Sequence, residues 1–189
     1  EILRSHLKIE KAHLVGHSLG AMIGSAYARK FSCNVHSVSL LSTAAFRSKN
    51  DQKKVLKIID NIEKEGINSI LPYLISRWFT DDFINNNSDI IKERMKQVYE
   101  TDIKTFLNVF RIYALTEMGP WLHEVVVPCL VLTGENDIGC NPDLNKNMAN
   151  ALPNAKLEIL KSLRHTITIE APELVGMKIA KFIGEIKKI

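Results

Sequence analysis

The sequence predicts an α/β fold: a mostly parallel sheet with helices on both faces and a helical block inserted between strands. Three observations carry that expectation. Short apolar runs alternate with amphipathic helical segments, the pattern of βαβ units. The first runs, KAHLVGH (11–17) and VHSVSLL (35–41), read as nearly continuous apolar stretches, as strands covered on both faces do. Residues 45–118, by contrast, carry helical periodicity and no strand signal.

Taken in order, residues 1–9 read as the end of an amphipathic helix with Ile2, Leu3 and Leu7 on one side. Residues 11–17 form a strand, 18–31 a helix with small residues at its start, and 35–41 a second strand. The block that follows is expected to hold about four helices. Val55, Ile58, Ile59 and Ile62 share one helical face; so do Ile91, Met95, Val98 and Tyr99, and then Ile103, Phe106, Leu107, Phe110 and Ala114. The more apolar ILPYLISRWF (70–79) supplies another helix. Strand character returns at CLVLTG (129–134). A helix near 141–151 is announced by Asn141 as cap and Pro142 in the first turn. A strand at KLEIL (156–160) and a helix from about Ala171, with Val175, Ile179, Phe182, Ile183 and Ile186 on its buried face, complete the chain. The expected division is a first core segment at 1–44, a helical cap at 45–122 and a second core segment at 123–189.

The totals bound the function. The 189 residues are 46% hydrophobic, enough for one domain with a core and a small insertion. A net charge of +4 is mild, and the lysines are scattered, so a nucleic-acid surface is not expected. No stretch reaches the roughly 18 apolar residues of a spanning helix, so no membrane partner is expected. Cys33, Cys129 and Cys140 are an odd set without paired spacing, which argues against a disulfide framework and against zinc and fits a reducing, cytoplasmic location. No signal peptide stands at the observed start. The chain begins at Glu1 inside a helical pattern, however, which leaves a preceding leader open. No metal set, phosphate loop or dinucleotide fingerprint is present, so no cofactor is expected.

Gly16-His17-Ser18-Leu19-Gly20 follows a strand and opens a helix. A G-x-S-x-G turn at such a place is a nucleophile elbow. The glycines let strand and helix approach, the serine hydroxyl stands at a helix N-terminus, and the amide of the next residue, Leu19, points at a developing oxyanion. The alternative is an ordinary βα turn. A serine needs a base, and the base an orienting carboxylate. Asp137, past the strand 129–134, and His165, between the last strand and the last helix, follow in the order Ser, acid, His. Glu135 and Asp143 are the competing acids. His17 reads as structural, and His6, His13, His36 and His123 occupy the wrong places for a base.

KAHLVGHSLG, PCLVLTGENDIGCNP and LPNAKLEILKSLRHTITIEAPELV resemble the elbow, acid loop and histidine loop of the α/β-hydrolase superfamily, in the branch with a helical cap. The likeness runs over nearly the whole chain and is nearest to small carboxylesterases and 3-oxoadipate enol-lactonase-like enzymes. It implies a serine hydrolase acting on a small ester or lactone, with Ser18 as nucleophile, Asp137 as acid and His165 as base. A carbon–carbon bond hydrolase of the same fold and a non-catalytic relative are the alternatives. The small residue expected after the motif is Ala21 here. The family's first four strands and first helix have no counterpart, so the chain is expected to be truncated, with Leu19 as its one oxyanion donor. Loss of the second donor would cost on the order of 10²–10³ in rate. The elbow strand is then expected to be an open edge, with self-association through residues 11–17 or through faces left uncovered. Trp78, Phe106, Phe110 and Trp121 are expected to line a substrate pocket, against the plainer role of packing within the cap. Arg77 and Arg111 are candidates to meet a substrate carboxylate, against a role as solvated surface groups.

Overall fold

The computed structural model describes residues 1–186. Its centre is a four-stranded parallel sheet in the order β1-β2-β3-β4: β1 Ala12–His17, β2 Val35–Leu41, β3 Cys129–Gly134 and β4 Ala155–Leu160. Side-chain alternation along β3 decides how it is covered. Cys129 and Val131 pack on one face with residues of α2 (Leu19–Lys30) and α8 (Pro142–Ala151). Leu130 and Leu132 pack on the other with Ile167, Val175 and Phe182. The last two belong to α10 (Pro172–Ile186). Both faces of β3 are apolar and covered, and β2 is buried except at His36. The edge strand β1 departs from the expectation of cover on both faces: Val15 is half exposed and the rest of the strand only partly buried.

Between β2 and β3 the chain forms α3 Lys49–Glu65, α4 Ile67–Trp78, α5 Asp81–Asn86, α6 Ser88–Glu100 and α7 Ile103–Leu115, then a 3₁₀ segment at Gly119–Glu124. The starts are written locally. Ser48 Oγ accepts from Asp51 N at 3.1 Å while the Asp51 carboxylate accepts from Ser48 N at 3.2 Å, a capping box. Asp102 caps α7 through Thr105 N, and Asn141 caps α8 through Leu144 N with Pro142 in the first turn. Gly66, at φ 81°, separates α3 from α4. The segment holds five α-helices, not the expected four. The extra one is α5, six residues long and started by Thr80, too short to show a repeat of apolar residues.

The inserted helices have apolar cores of their own: Leu71, Ile75, Phe79, Ile91 and Val98 form one, and Ile59, Ile62 and Leu107 another. Arg47 binds the segment's two ends. Its buried guanidinium donates to the Tyr113 and Thr116 carbonyls and stands over the Tyr113 ring, while the Glu117 carboxylate accepts from Phe46 N and Arg47 N. At the N-terminus α1 spans only Ile2–His6. Ile2, Leu3 and Leu7 are exposed, so the apolar side expected there has nothing to cover it among the described residues.

Candidate active site

Parallel strands deliver their following loops to one edge of the sheet, and the three expected site residues all stand just past strand ends there. Ser18 follows β1 directly, with φ 53° and ψ −114°. A side-chain-bearing residue adopts that backbone only when its surroundings over-determine it. Ser18 N donates to the Leu41 carbonyl at 2.8 Å, and the Ser18 carbonyl accepts from Ala21 N at 3.0 Å. Gly16 makes the turn possible: a Cβ on it would lie 2.2 Å from the Gly20 carbonyl oxygen. Gly20 itself faces open space, so the close approach expected of both glycines is required only at Gly16. Leu19 begins α2, and its N–H has no carbonyl a turn behind it within the helix.

Asp137 is buried, with its side chain 1% exposed. Its Oδ1 accepts from Gly139 N and Cys140 N at 2.9 and 2.8 Å, and its Oδ2 accepts from His165 Nδ1 at 2.8 Å. Burial pushes the carboxyl upward; the facing imidazole and the two amides more than offset it and hold Asp137 below its ordinary value. In His165 burial disfavours the cation, but the Asp137 carboxylate outweighs it and the base is raised above its ordinary value. The competing acids are engaged elsewhere: Glu135 accepts from Ser162 N, and Asp143 pairs with Lys146.

Further residues hold this arrangement, and of them the sequence marks only His17, as structural. A Cβ on Gly134 would lie 2.3 Å from the Arg164 carbonyl oxygen and 2.4 Å from that of Leu163, so the acid loop and histidine loop touch through a glycine. The buried Asn145 amide donates to the carbonyls of Thr43, Cys140 and Asn141. His17 Nε2 donates to the His165 carbonyl at 2.8 Å. Burial, then repulsion from His165, pushes His17 down to about 4, so it is neutral in that role. Arg164 Nη1 donates to the Ser76 and Phe79 carbonyls, and Thr166 N and Oγ1 donate to the Trp78 carbonyl. The histidine loop is thereby tied to the end of α4.

Ser18, Leu19, Asp137 and His165 line one cavity of about 400 Å³. Ser18 Oγ makes no hydrogen bond with His165 among the described contacts. Trp78, Phe106 and Phe110 line the same cavity from the inserted helices; Trp121 does not. It packs in the sheet core with Arg29 over its ring, because the 3₁₀ segment carrying it turns toward α2 and α8. Arg77 lines the cavity, whereas Arg111 pairs with Glu63 on the surface. Donor atoms of Asp137, Cys140 and His165 lie within 4.8 Å of one another, a set that could hold a metal ion. The direct Asp137–His165 bond already accounts for two of them. Cys33, Cys129 and Cys140 are unpaired, and no helix among the described residues is long and apolar enough to cross a membrane.

Comparison with known proteins agrees with this fold. A family model described as serine aminopeptidase, S33, matches residues 1–172. Among curated proteins, 3-oxoadipate enol-lactonase 2 of Acinetobacter baylyi is 22% identical over 90% of this chain and 63% of its own length. Proline iminopeptidase of Clostridioides difficile is 25% identical over 90% of this chain and 65% of its own. The chain thus spans just under two thirds of the length of these relatives. Among solved structures, the enol-lactonase from Burkholderia xenovorans LB400 superposes with a TM-score of 0.86 at 22% identity, covering 96% of this chain and 69% of that one. An esterase from Thermogutta terrifontis gives 0.84 at 22% identity, over 97% and 69%.

Proposed function

Because the chain belongs to the serine aminopeptidase S33 family of α/β-hydrolases, we propose that it is a serine hydrolase cleaving a carboxylic ester or lactone through an acyl-enzyme. One observation carries the reading. A serine in a strained turn at a helix start shares a cavity with a histidine whose Nδ1 is held by a buried carboxylate. Ser18 Oγ attacks the carbonyl carbon, and His165 Nε2 takes its proton. Asp137 fixes the imidazole with Nε2 free and stabilises the imidazolium. The Leu19 N–H donates to the oxyanion. His165 then gives the proton to the leaving oxygen, and water attacks the acyl-enzyme by the same route in reverse.

The inserted helices act as a cap that excludes water from the acyl group, with Trp78, Phe106 and Phe110 against it. A cavity of about 400 Å³ suits a small molecule rather than a polymer. Relatives named as an enol-lactonase and an esterase support an ester or lactone. We place the protein in the cytoplasm, in keeping with its free thiols. We further propose self-association through the outer edge of β1, which light scattering tests: a strictly monomeric species at high concentration contradicts it.

A second reading, a non-catalytic chain that keeps these residues, is favoured by one observation, the absent Ser18–His165 hydrogen bond. A panel of p-nitrophenyl acetate and butyrate, simple lactones and dienoate ketones separates the two. Turnover lost in Ser18→Ala and His165→Ala supports the hydrolase. A folded chain that turns over none of the panel supports the second reading.

A further inference from the structure

The cavity is mostly apolar, yet two arginines open into it. Arg94, on α6, and Arg77, near the end of α4, both line the same space as Ser18 and His165. Neither is paired with a carboxylate among the described residues. This sets them apart from the other arginines. Arg4, Arg29, Arg47, Arg111 and Arg164 each have an acidic partner. Among the described residues the one carboxylate that lines the cavity, Asp137, is committed to His165 and two backbone amides.

Arg94 is the more constrained of the two. Its guanidinium stands 5.4 Å over the Trp78 ring, and Nη1 donates to the Gln97 side-chain oxygen at 3.2 Å. Its Nε is buried and makes no hydrogen bond. Burial alone pulls its pKa down, with no anion to offset the loss of water. A half-buried cation with a free, buried donor is costly to keep unless something supplies the missing acceptor. Arg77 likewise has no carboxylate partner, though none of its donors is buried without an acceptor. Nη1 reaches only the Tyr73 hydroxyl, at 3.2 Å, and Nη2 lies over Gly139, where a Cβ would come within 3.2 Å of it. The acid loop thus makes room for this guanidinium without giving it a counter-charge.

We propose that Arg94 and Arg77 form an anion subsite in this cavity, so that the substrate is a small ester or lactone that also bears a carboxylate. A planar carboxylate offers the paired acceptors that a guanidinium fork lacks here. The apolar walls around it strengthen the attraction by excluding water. The carboxylate then fixes which end of the substrate lies toward the inserted helices and which carbonyl faces Ser18. The ester or lactone part of this statement rests on the hydrolase reading; the anion subsite does not.

Calorimetry reads the subsite without any reaction. Glutarate should bind the wild-type chain about tenfold or more tightly than glutaramide, the scale of one charge-assisted pair. That preference should collapse toward parity in Arg94→Gln and shrink in Arg77→Gln. It should survive in Arg29→Gln, a surface group paired with Glu124. Arg94→Lys, which keeps the charge but not the fork, should be intermediate and serves if the Gln variant fails to fold. In turnover, p-nitrophenyl hemiglutarate should be favoured over p-nitrophenyl valerate by a similar factor in kcat/KM. The gain should lie in KM, and the ratio should fall with the same variants. Equal binding of glutarate and glutaramide, or a preference untouched in both Gln variants, overturns the subsite. Glutarate preference with no turnover of either ester supports the subsite and overturns the hydrolase reading. Turnover of both esters without preference does the reverse.

Discussion

At the scale of single residues, Ser18 and His165 carry opposite burdens. The backbone of Ser18, at φ 53° and ψ −114°, costs about 1–3 kcal/mol for a residue with a side chain and little for glycine. Ser18→Gly should therefore raise the urea midpoint, by the equivalent of about 1 kcal/mol, while removing activity. As the proposed base, His165 must be neutral to accept a proton, and Asp137 holds its pKa above the ordinary 6.5. The rate should then fall as pH drops through that raised value, so the acid limb of the kcat/KM profile lies above pH 6.5. In Asp137→Asn the carboxylate is gone but burial remains. The limb should move downward, and kcat should drop on the order of 10⁴-fold. A limb unmoved by that change would mean that the titrating group is not His165.

At the scale of elements, the site depends on where loops touch. Gly134 and Gly20 make a paired test. Gly134→Ala drives a Cβ into the Leu163 and Arg164 carbonyls and should cost about 1–3 kcal/mol in stability together with activity. Gly20→Ala meets open space in a helix and should leave stability unchanged or raise it by up to about 1 kcal/mol. Urea denaturation of both variants checks the contrast. The sequence is informative where one residue's chemistry dictates local geometry: Gly16 in the turn before Ser18, the cap at Asn141 with Pro142 behind it, and the positions of Ser18, Asp137 and His165 just past strand ends. It is silent where the deciding partner lies far along the chain. Nothing in Gly134 announces the histidine loop, and nothing in Arg94 distinguishes it from Arg111 until the fold gives only Arg111 an acidic neighbour. Trp121 was misplaced for the same reason, since its apolar character fits a sheet core and a pocket equally well. The short helix α5 and the four-residue α9, Ile167–Glu170, carry too little periodicity to read.

At the scale of the whole molecule, two histidines set the pH dependence of stability near neutrality. His165, raised in the folded state, contributes stability that is complete below pH 6.5 and is lost as pH climbs through its folded value. His17, lowered to about 4, acts in the other direction: the unfolded chain takes up its proton below pH 6.5, so stability falls as pH drops toward 4. Urea midpoints from pH 5 to 9 should therefore peak near pH 6.5, and Asp137→Asn should flatten the alkaline side. The proposed hydrolase activity needs one convergence: the loops after β1, β3 and β4, which meet at a single cavity, must make Ser18 reactive. Incubation with a fluorophosphonate, followed by intact mass and peptide mapping, reads that directly. The account predicts one adduct, on Ser18, that is absent in Ser18→Ala and formed far more slowly in His165→Ala. A folded chain that takes up no label, or takes it up elsewhere, would contradict it.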